Sequence, residues 1–171
     1  PRASIRDFDS LPTPDRRLVD YDKFHKNIGI AMARHTVSIQ ATRGCPYNCA
    51  YCHKIWPKKH VVRSAEHIFR EVMLNYQIGV RRFSFVDDIF NFDRENSRRF
   101  FQLIVDSRID IDLFYLMRGD ILTEDYIDLM VKAGLKRLGL ALETASPRLQ
   151  KLIRKNLNID KLHKNMEYLS T

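Results

Sequence analysis

Gly44-Cys45-Pro46-Tyr47-Asn48-Cys49-Ala50-Tyr51-Cys52-His53 holds every cysteine of the chain, in the spacing Cys-x3-Cys-x2-Cys. Three thiolates this close in sequence can converge on one centre. A cubane iron–sulfur cluster has four irons, ordinarily held by four thiolates. Three thiolates leave one iron open, and an open position separates a reactive metal site from a sealed structural one. Zinc is the competing reading, with His53 as a fourth ligand. Structural zinc takes paired Cys-x2-Cys elements well separated in sequence, which this compact run does not match. A disulfide would leave one thiol over and suits a secreted chain, for which the sequence carries no other sign.

Outward from this run, composition narrows the class. The chain has 171 residues, enough for one domain with a real core. Its apolar runs are short, as at Ile28 to Ala33, so no segment is expected to span a membrane. No signal-peptide pattern opens the sequence. Reduced cysteines, and with them a cytoplasmic location, are expected. The net charge is +8, and residues 23–65 carry eight cations and no acid, so the whole excess surrounds the cysteine run. Cations there should favour thiolate over thiol and attract an anionic ligand. A nucleic-acid patch is the other reading, although Phe24, Tyr47, Tyr51 and Trp56 show no stacking-platform pattern.

The rest of the chain alternates strand and helix. Residues 1–35 read as a linker or arm broken by Pro1, Pro12 and Pro14. Thr36 to Ala41 is a β-branched strand that runs into the cysteines. Ser64 can cap a helix with Ile68, Phe69, Val72, Met73 and Tyr76 on one face, stopped by Gly79. Arg82 to Val86 is a second strand ending at Asp87-Asp88, and Asp93 caps a helix with Phe100, Leu103 and Ile104 inward. Ile111 to Met117 is a third strand ending at Arg118. Thr123 begins a helix through Ile127, Met130 and Val131, stopped by Gly134. Arg137 to Leu142 is a fourth strand, apolar on both faces as an interior strand would be, and ends at Glu143. Ser146-Pro147 opens a helix with Leu149, Leu152 and Ile153. Leu162, Met166 and Leu169 suggest a further helical stretch.

Four strand–helix units with short connections predict an α/β fold with a parallel sheet. The cysteine loop, Asp87-Asp88, Arg118 and Glu143 all follow strand C-termini, the rim where barrel-like α/β folds do their chemistry. The alternation alone does not separate a barrel from an open doubly wound sheet. No Gly-rich phosphate loop follows any strand, which argues against a nucleotide-type Rossmann domain.

The cysteine spacing, with Tyr51 before the third cysteine, resembles the signature of the radical S-adenosylmethionine (SAM) superfamily. The resemblance covers about residues 36–160. It implies a partial (β/α) barrel, of which this chain would hold four units out of six, with residues 36–171 as the amino-terminal part of the core. It implies that Cys45, Cys49 and Cys52 hold a 4Fe-4S cluster whose open iron is chelated by SAM. Reductive cleavage of SAM would then yield a 5′-deoxyadenosyl radical that abstracts hydrogen from a substrate, a small molecule or peptide. An electron donor such as flavodoxin or ferredoxin is implied as partner.

Other positions take roles through the same resemblance. Tyr51 looks like the aromatic beside the cofactor's adenine, or else packs on the core. Asp87-Asp88 stands where many members carry Gly-Gly-Glu for the cofactor's amino group. It resembles instead the Asp-Asp-x-Phe of cobalamin-type members; either aspartate could alternatively cap a turn. Arg118 could hold the methionine carboxylate as a fork, or pair with Asp120. Glu143 suits ribose hydroxyls, and Lys155, twelve residues on, matches a basic residue that reaches the cofactor or else is a solvated helix lysine. Ser10 to Arg16 resembles the join to a cobalamin-binding domain, which points to cobalamin-dependent methyl transfer with cobalamin held by an upstream domain outside this chain. A methylthiotransferase-like enzyme acting on RNA and a non-enzymatic zinc-binding module are the alternatives. The free edge of the fourth strand leads to the further expectation that this chain alone is poorly soluble or self-associating, and the two units it would lack imply that it does not cleave SAM at a useful rate.

Overall fold

The computed structural model describes residues 7–18, 36–53 and 59–170. A sheet of four parallel strands forms its centre: β1 (Thr36–Ile39), β4 (Arg82–Phe85), β5 (Asp112–Met117) and β6 (Leu135–Leu140), in that spatial order. The crossovers are α1 (Ala65–Gln77), α2 (Arg94–Ser107) and α3 (Glu124–Lys132), and α4 (Pro147–Leu152) and α5 (Ile159–Ser170) follow β6. The expected four strand–helix units are therefore all present.

Strand order follows chain order without a reversal. Crossovers of one hand then place every helix on the same face of the sheet, whereas a doubly wound sheet reverses direction and covers both. Burial agrees with this. Val37, Ile39, Phe83, Phe85, Leu113 and Tyr115 share one core with Ile68, Val72, Phe100, Ile104, Ile127 and Met130 of the three helices. The opposite face is open, with Val86 at 53% and Leu116 at 67% exposure. That is the concave side of a barrel fragment.

Capping follows the sequence. Ser64 Oγ accepts from His67 N–H and Asp93 Oδ1 from Asn96 N–H at the starts of α1 and α2. Gly134 sits at φ +99°, where a Cβ would strike the Ile111 carbonyl, so glycine both ends α3 and lets β6 reach β5.

Several expectations are corrected. The fourth strand runs Leu135–Leu140 rather than Arg137–Leu142, while its expected lack of a further partner holds among the described residues, where it pairs only with β5. A register irregularity after Leu113 sets Phe114 opposite Arg137 and shifts the strand's start. Val131 is 55% exposed; Tyr126 takes the inward place and donates to Ser97 Oγ at 2.7 Å. Leu152 and Met166 also face outward. Their inward neighbours are Gln150 and Asn165, which bond the backbone of loops crossing beneath the helices. Apolar periodicity misses such polar core residues because their burial depends on tertiary partners.

The described part of the arm lies against α1 and against the edge of β1 that has no strand partner among the described residues. Phe8 is buried under the Arg43 guanidinium. Arg16 donates to the Ser38 carbonyl at 2.7 Å, and Arg63 to the Gln40 carbonyl at 2.9 Å. Both bond carbonyls of the chain along β1, which blunts that edge against strand addition. Glu71 pairs with both guanidinium groups. Residues 19–35, with Lys23, Lys26 and Arg34, and residues 54–58, with Lys54 and Lys58, lie outside the described set.

Candidate cofactor site

The cysteine loop leaves the sheet through a short antiparallel ladder, β2 (Thr42–Arg43) with β3 (Val61–Val62), which pins its two flanks together. Asp87 fixes the entry. Its Oδ1 accepts from the N–H of Ala41 and Thr42 and from the Thr42 hydroxyl. One residue on, Asp88 Oδ2 accepts from Gly44 N–H at 2.9 Å, and Gly44 turns the chain at φ +83°, a conformation glycine adopts freely. The far end is tied to α4 by Ala50 N–H bonding the Ile153 carbonyl at 2.8 Å. Tyr47 lies between the Phe92 ring, edge-on at 6.0 Å, and the Arg118 guanidinium, 4.1 Å above its ring.

One cavity of about 270 Å³ opens at the C-terminal ends of the strands. Cys45, Cys49 and Cys52 line it as free thiols, together with Tyr51, Asp87, Asp88, Arg118, Glu143 and Lys155. The structure thus brings together all nine residues singled out in the sequence. Leu116, Gly139 and Ala141 add an apolar wall from the concave face.

The residues differ in what they offer. Lys155 is buried in the turn after α4, not on a solvated helix, and its Nζ donates to Tyr51 Oη at 3.1 Å and Glu143 Oε1 at 3.2 Å. An ammonium has three N–H donors, so a third can meet a ligand. Arg118 is engaged by protein. Nε and Nη2 fork onto Asp120 at 2.7 and 3.0 Å, and Nη1 and Nη2 bond the carbonyls of Lys155 and Asn156, each at 3.0 Å. Of the two acids, Asp87 is buried and directed at backbone, while Asp88 is exposed to the cavity.

Charge states follow from these surroundings. Burial opposes the Lys155 charge, but the bonds it donates to Tyr51 and Glu143 outweigh it and raise its pKa. The hydrogen bond from Lys155 lowers that of Glu143. Burial raises Asp87 to about 6 against the bonds from Thr42 and Ala41. Its Oδ2 is buried without a partner. Cys45 is pushed up by burial and by the charges of Cys49, Cys52 and Asp88. Five of the eight cations expected to favour the thiolates (Lys23, Lys26, Arg34, Lys54 and Lys58) lie outside the described residues. Of the described ones, Arg43 lies over Phe8 of the arm and Arg63 pairs with Glu71 of α1.

Strain concentrates here as well. Glu143 (φ +63°), Arg154 (+56°) and Asn156 (+49°) are three of the four non-glycine residues with positive φ among the described residues. Such conformations persist where surrounding bonds over-determine them.

Tyr47 and Asp120 are site residues that sequence reasoning left without a role. Tyr47 lay within the cysteine run, and Asp120 was weighed only as a partner for Arg118. Among the described residues no group of three or more His, Cys, Asp or Glu converges on a point that could hold a single metal ion. A cluster takes one thiolate per iron, so its ligands stand around a body rather than about a point. The donor set of three thiols on one cavity fits a cluster with an open iron. No helix among the described residues is long and apolar enough to cross a membrane.

Comparison with known proteins adds to this geometry. The family described as the radical SAM superfamily matches residues 39–171. An uncharacterized methyltransferase of Pyrococcus horikoshii is 27% identical over 160 residues, 92% of this chain and 34% of that protein. Cytidylyl-2-hydroxyethylphosphonate methyltransferase of Streptomyces wedmorensis is 25% identical over 174 residues, 95% of this chain and 32% of that protein. The chain thus spans about a third of the length of these curated relatives. Among solved structures, the radical SAM methyltransferase TsrM of Kitasatospora setae superposes with a TM-score of 0.68 at 18% identity, over 79% of this chain and 27% of that one. TsrM has also been solved with cobalamin and a [4Fe-4S] cluster bound.

Proposed function

The chain belongs to the radical SAM superfamily, and on that premise we propose that it is the cluster- and SAM-binding core of a cobalamin-dependent methyltransferase. The observation that carries the reading is the single cavity shared by three free thiols and by the Lys155–Glu143–Tyr51 group. Membership implies a 4Fe-4S cluster and SAM. When bound, these supply one-electron reductive cleavage of SAM.

Each residue then has a task. Cys45, Cys49 and Cys52 hold three irons as thiolates, and the energy of metal binding offsets the raised thiol pKa of Cys45. Asp88 presents an exposed carboxylate to the methionine ammonium. The remaining N–H of Lys155 takes the methionine carboxylate. Glu143, kept ionised by Lys155, accepts from ribose hydroxyls. Tyr51 offers a ring face to adenine. Leu116, Gly139 and Ala141 give the cofactor an apolar wall on the concave side. Asp87 binds no ligand and instead holds the strand-to-loop turn.

Methyl transfer draws support from the two relatives named as methyltransferases over more than nine-tenths of this chain. Cobalamin would be held by residues outside this chain. The test is anaerobic incubation of the full-length protein with reductant and methyl-labelled SAM, with and without cobalamin. Transfer of the labelled methyl to added cobalamin is expected. 5′-Deoxyadenosine formation without such transfer would remove methyl transfer and leave the radical core; neither product would overturn the whole reading.

A further inference from the structure

Arg118 occupies the end of β5 on the cavity wall, where a guanidinium would be expected to grip an anionic ligand. Its bonds say otherwise. Four of its five N–H groups are engaged by Asp120 and by the carbonyls of Lys155 and Asn156. The face of the guanidinium is covered by the Tyr47 ring. Its own backbone is bonded on both sides by the buried Asn91, N–H to Oδ1 and carbonyl from Nδ2. Asp120 extends the same hold, since Oδ2 also accepts from Asn158 N–H at 3.0 Å.

The two carbonyls that Arg118 grips belong to the turn that carries Lys155. That turn is left-handed at Arg154 and Asn156, neither of them glycine. A conformation disfavoured for its residues needs external bonds to persist, and Arg118 with Asp120 supplies them at Lys155, Asn156 and Asn158. Through Tyr47 the same side chain also touches the cysteine loop. One buried ion pair therefore contacts both the loop and the turn that carries the lysine bonded to Tyr51 and Glu143.

We propose that Arg118 is a positioning residue: with Asp120 it locks the 154–158 turn so that Lys155 meets the cofactor, and it does not itself bind the cofactor's carboxylate. The proposal rests on the reading that this cavity takes SAM.

Asp120→Asn separates the two roles. It removes the charge that holds the fork while leaving Arg118 in place. If Arg118 positions the turn, SAM binding weakens about tenfold, as for loss of one charge-assisted bond. If Arg118 binds SAM directly, freeing it leaves affinity unchanged or improves it. A second arm uses Arg118→Lys, Lys155→Met and the double variant. Positioning through Lys155 makes the double variant no weaker than Lys155→Met alone, whereas independent contacts multiply the two losses. Affinity is read by titrating the reduced cluster's electron paramagnetic resonance signal with SAM in full-length protein, with iron and sulfide assayed in each variant. Wild-type affinity in Asp120→Asn, or multiplied losses in the double variant, overturns the proposal. Failure of the wild-type protein to bind SAM would instead overturn the reading of the cavity.

Discussion

Lys155 Nζ stands 3.2 Å from Glu143 Oε1, joining the turn after α4 to the end of β6 across a cavity lined by three thiols. The lysine is 9% exposed and the glutamate carboxylate is open to solvent, so the pair faces the cavity with its charge balanced but its bonding unfinished.

Lys155→Met keeps the length and removes the charge. The cluster should assemble as in wild type, because no thiol depends on this side chain. SAM affinity should fall roughly ten- to hundredfold, the equivalent of about 1.5–3 kcal/mol for one charge-assisted hydrogen bond. Calorimetric titration under anaerobic conditions measures it; unchanged affinity would remove Lys155 from the site.

The two aspartates should separate. Asp88→Asn loses the charge that faces the cavity and should weaken SAM binding about tenfold with the cluster intact. Asp87→Asn, whose side chain meets only the chain at Ala41 and Thr42, should change affinity far less. The reverse order of effects would exchange their roles.

Asp87 also predicts a pH dependence of stability. Its folded pKa of about 6 lies above the 3.8 of an ordinary aspartate. The folded state therefore holds the proton more tightly, and stability falls as pH rises from about 4 to about 6. The full effect is on the order of 3 kcal/mol. Asp87→Asn cannot titrate there. Denaturant unfolding of both proteins at pH 4, 5, 6 and 7 should show wild type losing stability relative to the variant across that window and levelling above it. A constant difference would show that Asp87 is not raised.

Much of this was legible in the sequence, and the limits have physical causes. Cysteine spacing is local, so Cys45, Cys49 and Cys52 announce themselves. Asp87-Asp88 and Glu143 could be placed because strand ends in an α/β alternation face one rim, whereas Lys155, which follows a helix, was reached only through the family resemblance. The parallel order was implied, but barrel against doubly wound sheet was settled only by strand order and the single covered face. The role of Arg118 was hidden because its carbonyl partners, at Lys155 and Asn156, have no side-chain signature. Tyr126, Gln150 and Asn165 replace expected apolar residues for the same reason: their partners come from other elements. The rise in the Cys45 pKa was also out of reach, since it comes from burial and from the charges of Cys49, Cys52 and Asp88, which composition does not place.

The most direct test of the account is low-temperature electron paramagnetic resonance of the anaerobically reconstituted, reduced protein, before and after SAM, in wild type and in each single Cys→Ala variant. The account predicts a 4Fe-4S signal that changes when SAM is added and that disappears on replacing any one of Cys45, Cys49 or Cys52. A full cluster signal surviving in any single variant, or a wild-type signal indifferent to SAM, would contradict it.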